Sequence, residues 1–225
     1  MKKKNRKRNV AASDAESYNE DMSLRISALS DIVFKYIFGT EKSTEVLKSF
    51  INAVQKDRDF PEIDTLEIRN PINEKTFLDD KISIIDIKAK DLKGDWYIVE
   101  VQIRNQPFFQ ERSLYYWART YADQLPEGRE YMHLDRVVSI SILDCAIFPE
   151  HIPFHSCFML TEKDHPDQLL TLDCIMHYLE IPKIKEKPDT DILRWLYYLR
   201  HAGEEDENVE ELLKKDRAIY QADER

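Results

Sequence analysis

The sequence predicts an α/β fold in which a mixed central sheet is covered by helices. Two strand-like runs joined by a short turn occupy residues 81–104, and a helical pattern and then another strand follow them. Apolar residues make up 42% of the 225 residues, which suits one domain with a sizeable core. The predicted order is helix, strand, strand, strand, helix and strand, with extra strands and helices behind it.

The chain begins with a segment, residues 1–22, that has the composition of a disordered basic arm. Residues 1–10 contain six Lys or Arg and no acid, which leaves 27 basic and 43 acidic side chains for the rest of the chain. An acidic body disfavours broad coating of nucleic acid but permits binding in a local cleft. The arm is either a phosphate-binding segment or a solvated tail.

Two helices are predicted next. Ser30 suits the N-cap position before Asp31, and Gly39 ends the apolar period of that first helix. A second helix begins at Thr44, because apolar residues then recur at steps of three and four: Val46, Leu47, Phe50, Ile51 and Val54. Residues 65–69 alternate as a strand, and the following Asn-Pro pair starts a loop that reaches about residue 80.

The hairpin of residues 81–104 carries one carboxylate in each strand. Gly94 is the third residue of a three-residue loop, where a left-handed conformation forms a type I turn with a bulge. That loop sets a register in which Asp86 lies opposite Glu100, and Gln102 points to the same face. Facing carboxylates repel each other unless a cation lies between them. The pair is therefore either a divalent-metal site or part of a solvated outer face.

The neighbours of these two acids favour the metal site. Ile82 and Ile84 precede Asp86 on its own face, and Ile98 precedes Glu100, so the acids stand at the end of an apolar face. Carboxylate oxygens are ligands that Mg²⁺ prefers, and Mn²⁺ accepts the same ligands.

A helix is predicted from Pro107 to about Gln124. One of its faces combines aromatic and basic residues, which either pack with their charged ends in solvent or contact phosphate and bases. We select Arg112, Tyr116 and Arg119 on this face as candidate nucleic-acid contacts.

The remaining chain predicts strands at residues 136–143, 153–160 and 169–179 and a helix at 191–201. From Gly203 the chain becomes acidic and weakly helical. The predicted division is therefore a basic arm at 1–22, a main domain at 23–202 and a C-terminal extension at 203–225.

Several kinds of site are disfavoured. With four glycines, at 39, 94, 128 and 203, the chain has no glycine-rich phosphate loop, and we expect no small-molecule cofactor. No serine or cysteine lies in a nucleophile-elbow context. His151 and His155 have a zinc-like spacing, but Pro153 between them favours a strand and no third ligand accompanies them.

The cysteines and the hydropathy bear on location. Three cysteines without a CxxC spacing fit a reducing cytosol. No apolar run approaches the roughly 18 residues of a membrane-spanning helix, and no signal-type segment follows the basic start. We expect a cytoplasmic protein with no membrane contact, and homo-oligomerisation stays open.

The acids carry a resemblance to a known family. Asp86 followed, after a glycine-turn hairpin, by Glu100-Val101-Gln102 resembles the PD-(D/E)XK nuclease superfamily, in the branch called recombination-promoting nucleases or transposase-like nucleases. The resemblance spans residues 25 to about 200 and includes the segments at 31–39, 69–103 and 109–118. Two departures exist: Gln102 stands where the superfamily has lysine, and the C-terminal region looks shorter than in longer members.

The resemblance implies a restriction-endonuclease-like core with the order αβββαβ. It implies that Asp86 and Glu100 hold magnesium at a scissile phosphate, with Asp31 either an outer third acid or a simple helix-start residue. Gln102 is able to position water but supplies no positive charge, so another cation is needed. Lys88 and Lys35 are the candidates.

The implied function is a magnesium-dependent DNA endonuclease associated with recombination or mobile elements. Two alternatives stay open. One is a non-catalytic DNA- or protein-binding module that keeps the nuclease fold, and the other is a nuclease that acts on RNA.

Overall fold

A computed structural model describes residues 27–69, 72–73, 83–84, 86–125 and 130–225. The predicted basic arm, most of the predicted loop at 70–80 and the first residues of the predicted hairpin lie outside the described residues. For residues 72–73 and 83–84 only the strand assignment is described.

Most helices and strands fall close to their predicted positions, but residues 72–73 form a strand inside the predicted loop, and the first run of the predicted hairpin contains two short strands that belong to different sheets. The α-helices are α1 (Asp31–Phe38), α2 (Thr44–Lys56), α3 (Phe109–Ala122), α4 (Asp191–His201), α5 (Glu207–Lys215) and α6 (Arg217–Asp223). The strands are β1 (Glu67–Arg69), β2 (Ile72–Asn73), β3 (Ser83–Ile84), β4 (Ile87–Lys90), β5 (Trp96–Gln102), β6 (Val137–Leu143), β7 (His155–Met159) and β8 (Cys174–Glu180). Short 3₁₀ turns lie at Glu41–Ser43, Tyr131–His133 and Ile181–Lys183.

A six-stranded mixed sheet forms the centre, in the order β1-β4-β5-β6-β8-β7, and β2 pairs with β3 in a separate two-stranded sheet. Strands β1, β4 and β5 are antiparallel neighbours, whereas β5, β6 and β8 are parallel. The parallel pair β5 and β6 is joined through α3, as the short hairpin turn used between β4 and β5 only joins antiparallel strands. The predicted mixed sheet flanked by helices is confirmed.

The register of the β4–β5 hairpin is also as predicted. Ile87 pairs with Val99 and Lys90 with Trp96, which places Asp86 at the position opposite Glu100. Gly94 has φ +105°, the left-handed conformation that the three-residue loop requires. The Asp91 carboxylate fixes this loop, because its Oδ1 accepts three backbone N–H bonds, each 2.9 Å long.

The two faces of the sheet have different helical cover. Tyr97 and Val99 of β5 point into the main core, which α1, α2 and α4 complete. Ile98 points to the opposite face, where it packs with side chains of α3. Glu100 and Gln102 alternate with Val99 and so share the α3 face.

Several features differ from the sequence expectations. Ser30 holds the N-cap position, but its hydroxyl makes no capping bond. Helix α3 starts at Phe109 rather than Pro107, and β8 starts at Cys174 rather than residue 169. The 203–225 segment contains two helices, and Val209, Ile219 and Ala222 join the main core. These few apolar residues are separated by many charged ones. The apolar period that predicts a helix is therefore weak in this segment.

Among the helices that the structure describes, none is long and apolar enough to cross a membrane.

Candidate active site

Asp86 and Glu100 meet at the end of β5. Asp86 directly precedes β4, and its Oδ2 accepts a hydrogen bond of 2.9 Å from the backbone N–H of Val101, the residue after Glu100. The two carboxyl groups therefore share one end of the hairpin, as the register predicted. Because Val101 N–H donates to it, the Asp86 carboxylate has a fixed position at this edge of the sheet.

Glu100 is a buried acid with an unsatisfied oxygen. Its exposed fraction is 6%, and its Oε2 has no hydrogen-bond partner among the described residues. Burial, and then the negative charge of Asp86, raise the pKa of Glu100 to about 8. Burial also raises the pKa of Asp86 above its usual value. Two acids held in this way favour a bound cation. A cation at the pair would offset both the burial of the charged carboxylates and the repulsion between them.

Helix α1 places a lysine beside this pair. Lys35 Nζ lies 3.2 Å from Asp86 Oδ1 and 2.7 Å from Asp31 Oδ1, one turn earlier in the same helix. The hydrogen bond from Lys35 lowers the pKa of Asp31. The carboxylates of Asp31 and Asp86 hold the pKa of Lys35 above its usual value, although burial opposes this shift. Asp31 thus lies near the pair through Lys35.

Gln102 is engaged at both ends of its side chain. Its Nε2 donates to the carbonyl of Arg104 at 2.8 Å, and its Oε1 accepts from Arg112 Nη2 at 2.8 Å. Arg112 Nη1 also donates to Gln106 Oε1, and Arg112 Nε has no hydrogen-bond partner among the described residues. The positive charge of the Arg112 guanidinium opposes the rise in the pKa of Glu100. The glutamine therefore holds a cation close to Glu100.

An open cleft of about 690 Å³ collects these groups. It is lined by seven of the nine predicted site residues: Asp31, Lys35, Asp86, Glu100, Gln102, Arg112 and Tyr116. Lys88 and Arg119 are outside this lining. Lys88 Nζ lies over the Trp96 ring, 4.7 Å from its centroid, and Arg119 pairs with Asp123 at 3.1 Å. The structure therefore brings together most of the predicted site but not these two cations.

The acid pair fits a hard divalent cation in its donor chemistry. Two carboxylates are available, and the buried Glu100 Oε2 lacks a partner among the described residues. Within the described residues, no group of three or more His, Cys, Asp or Glu side chains is arranged to hold a metal. A cation held by Asp86 and Glu100 therefore needs further oxygens from the backbone, water or a substrate, as Mg²⁺ usually does.

The loop after β5 contributes cleft residues that the sequence reasoning did not select. Ile103, Arg104 and Gln106 line the cleft beside the acids. Arg104 could have been selected from the sequence, because it is a basic residue two positions after Gln102, at the end of the predicted hairpin. The bond between Gln102 and Arg112 had no comparable signal, since the two residues lie ten positions apart with a loop between them.

Comparison with known proteins agrees with this geometry. A model of the PD-(D/E)XK nuclease family transposases matches residues 28–225. Searches of the curated proteins and of the solved structures gave no match. Because the matched region includes the whole cleft and nearly nine-tenths of the 225 residues, the chain belongs to the PD-(D/E)XK nuclease family transposases.

Proposed function

We propose that this protein is a divalent-metal-dependent DNA endonuclease that hydrolyses phosphodiester bonds at the cleft beside α3. The observation that carries this proposal is the buried carboxyl of Glu100, which lines one cleft with Asp86 and leaves Oε2 without a partner among the described residues. A buried acid of this kind costs folding free energy, so its place in an open cleft is explained best by a ligand that binds it.

Asp86 and Glu100 are the proposed metal ligands. A magnesium ion bound there supplies Lewis-acid stabilisation of the scissile phosphate and lowers the pKa of an attacking water. The protein's part is to keep the two carboxyl groups on one face and to fix Asp86 through the N–H of Val101. Mn²⁺ is expected to support the same reaction, because it accepts the same oxygen ligands.

Gln102 is uncharged, whereas the superfamily has a lysine at this position. Two other cations supply the missing positive charge. Lys35 lies 3.2 Å from the Asp86 carboxylate, and Arg112 of α3 lines the same cleft and bonds to Gln102. The Arg112 guanidinium lines the cleft, and a planar fork of N–H donors is suited to bind a phosphate oxygen. We assign Arg112 to the phosphate and Lys35 to the stabilisation of the carboxylates.

Gln102 has a positioning role in this proposal. Both polar atoms of its side chain are already hydrogen-bonded, to Arg104 and to Arg112, so it is less available to orient an attacking water. It determines instead where the Arg112 guanidinium lies. This differs from the role that the resemblance implied, in which Gln102 contacts water directly.

The family supports DNA as the substrate and a role in mobile elements. Its model describes nuclease family transposases, proteins whose work is carried out on DNA. The overall charge of −10 is no obstacle, because the cations Lys35, Arg104 and Arg112 stand at the cleft itself.

The experiment compares plasmid nicking by wild type, Asp86→Asn and the matched control Asp167→Asn, with magnesium and with EDTA. Asp167 is an exposed acid that does not line the cleft. We expect metal-dependent nicking by wild type and Asp167→Asn and none by Asp86→Asn. Filter binding at one stated salt concentration should show that Asp86→Asn still binds DNA, since fewer negative charges then face the phosphates.

Three outcomes would contradict the proposal. Nicking that persists in Asp86→Asn would show another active site or a contaminant. Binding of DNA by wild type without metal-dependent nicking would favour a non-catalytic binding module. Cleavage of RNA but not of DNA of the same sequence would change the substrate class.

A further inference from the structure

Phe108 has an unusual backbone conformation at the start of α3. Its φ is +62° and its ψ is +28°, in the left-handed region. Among the described residues only Asp59 shares a positive φ without being glycine, and Asp tolerates this region better than a large aromatic residue does. A bulky residue in such a conformation occurs mainly where the surrounding structure holds it in place, which includes ligand-binding sites.

The ring of Phe108 is exposed and unpartnered in the part of the chain that the structure describes. Its exposed fraction is 78%, and it makes no ring contact with another described aromatic or cationic side chain. The next residue, Phe109, has the opposite environment, because it is buried against Tyr178 with ring centroids 6.4 Å apart. The turn at residue 108 thus directs one ring into the core and leaves the other in solvent.

The position of Phe108 is fixed from both sides by residues of the cleft. Gln106 and Arg112 both line the cleft, and Arg112 Nη1 bonds to Gln106 Oε1 across the turn that contains Phe108. The backbone N–H of Arg112 donates to the carbonyl of Phe108 at 2.9 Å, which ties this turn to the helix. The exposed ring therefore belongs to a turn that lies between two cleft residues, two positions after Gln106 and four positions before Arg112.

The neighbours of Phe108 favour a nucleobase over an apolar protein surface as its partner. Residues 104–106 are exposed polar or basic side chains, so the exposed apolar residues near the ring, Ile103 and Pro107, are separated by polar ones. A protein-docking patch is usually a contiguous apolar area. An aromatic ring beside a cationic groove is the usual arrangement for binding single-stranded nucleic acid, in which bases stack on rings and phosphates contact cations.

We propose that Phe108 stacks on an unpaired base next to the phosphate held in the cleft, so that the substrates are nucleic acids with unpaired bases at the cleavage position. Inside a perfect duplex both faces of each base contact neighbouring bases, and a single exposed ring finds no free face. This inference rests on the proposed function, because it deepens the choice of substrate for the same cleft.

The test is binding in EDTA, so that no cleavage is required. Fluorescence anisotropy at one stated salt concentration compares a single strand, its perfect duplex and a duplex with one unpaired 2-aminopurine. The full chain is used as wild type, Phe108→Ala, Phe108→Trp, Phe108→Gly and the matched control Tyr131→Ala. Tyr131 has an exposed fraction of 83% and lies before β6, at the end of the sheet away from the acids.

We expect wild type to prefer the single strand and the unpaired duplex. Phe108→Ala should weaken binding of these two probes by roughly 5- to 100-fold, the range for loss of one base stack, and should change binding of the perfect duplex little. Phe108→Trp should keep the preference and the quenching of 2-aminopurine, because indole stacks at least as well. Phe108→Gly should lose the preference although it relieves the backbone, and Tyr131→Ala should behave as wild type.

Several results would overturn this inference. One is that wild type binds the perfect duplex and the single strand equally well. Another is that Phe108→Ala weakens binding of these two probes by the same factor. A third is that Phe108→Gly binds the single strand as tightly as wild type does. Self-association of wild type that Phe108→Ala abolishes would identify a protein surface instead. The binding assay needs no cleavage, so the two proposals are tested separately. Absence of nicking by wild type would refute the proposed nuclease, whereas binding that depends on Phe108 would still support the base contact.

Discussion

At the scale of single residues, the site depends on a conflict between stability and charge at Glu100. The acid is buried at the end of β5, and its pKa is raised to about 8 by burial and by Asp86. The folded protein therefore binds this proton more tightly than the unfolded chain, in which the usual value is about 4.5. Without metal, the stability that Glu100 contributes is complete below pH 4.5 and is lost as the pH rises towards 8.

Glu100→Gln should remove this dependence. In EDTA at pH 8 the variant should be more stable than wild type, because a neutral amide replaces a buried carboxylate, and the gain should shrink to little at pH 5. The expected slope for wild type over this range is at most about 1.4 kcal/mol per pH unit. Urea unfolding at several pH values measures it. Millimolar magnesium should reverse the order, since it stabilises only the protein that binds it.

A variant less stable than wild type in EDTA at pH 8 would show that the Glu100 carboxylate has a partner. An equal magnesium-induced rise in Tm for wild type and Glu100→Gln would contradict its role as a ligand.

The second prediction at this scale concerns Gln102 and Arg112. If Gln102 acts by holding Arg112, the effects of Gln102→Ala and Arg112→Ala should not add, and the double variant should match Arg112→Ala. Loss of an electrostatic contact to the transition state lowers kcat by roughly 10²–10³-fold, and we expect this range for Arg112→Ala. Single-turnover nicking rates provide the measurement, with Arg119→Ala on the same helix as the control.

Gln102→Lys tests whether Gln102 acts by holding Arg112 or by contacting the attacking water directly. The lysine removes the acceptor of Arg112 and places a second cation beside it, so the nicking rate should fall. A rate at or above that of wild type would favour the water-positioning role instead. Additive losses in the double variant would show that the two side chains act independently.

At the scale of elements, the β4–β5 hairpin determines which residues face the cleft. Its loop depends on Gly94, because φ is +105° and an added Cβ would lie 2.6 Å from Asp135 Oδ2. Asp135 in turn pairs with Lys90 at 3.3 Å, at the loop end of β4. Adding or removing one residue in this loop would shift the register and turn Asp86 away from Glu100. The geometry of the active site therefore depends on the length of the turn.

Gly94→Ala should destabilise the protein by more than Gly203→Ala. Gly203 also has a positive φ, +81°, but an added Cβ there meets nothing within 4 Å. Gly203→Ala should therefore cost only the backbone term, about 1–2 kcal/mol, whereas Gly94→Ala adds the clash with Asp135. Urea unfolding of both variants gives the difference. Equal losses would show that Asp135 moves aside without cost.

At the scale of the whole molecule, the C-terminal helices support the first helix of the site. Val209, Ile219 and Ala222 belong to the same core as Phe34, which lies in α1 beside Lys35. Arg225 adds a polar contact, since its guanidinium bonds to the backbone carbonyl of Lys42. The family match to residue 225 includes these helices. The end of the chain is therefore packed against the same layer that presents Lys35 to Asp86.

Truncation after residue 203 should lower both stability and nicking. Each buried apolar side chain that is lost contributes about 1.5–3 kcal/mol, so we expect the Tm to fall by at least about 10 °C. Deletion of residues 1–22, predicted from composition as an arm outside the core, is the control and should leave the Tm unchanged. Thermal unfolding followed by circular dichroism measures both. An unchanged Tm in the C-terminal truncation would show that α5 and α6 dock without stabilising the core.

The sequence by itself determined the sheet register and the acid pair. The two-residue period of a strand and the odd length of the loop at Gly94 place Asp86 opposite Glu100 without knowledge of the rest of the fold. Helix α4 was predicted with the bounds that the structure shows, Asp191–His201, and the Thr190 side chain caps its start by accepting from the N–H of Leu193. These features depend on neighbours in the chain, so pattern alone is sufficient.

Only the tertiary structure decided which cations serve the acids and which polar groups are buried. Lys35 reaches Asp86, and Arg112 reaches Gln102, across loops whose paths no local pattern sets. His155 illustrates the same limit, since its ring bonds to Asp57 at 2.6 Å and to His177 at 3.0 Å in the core. Neither contact was expected from its spacing to His151. Such contacts depend on how distant elements pack, and packing is fixed by the shape of the whole core rather than by the period of any one segment.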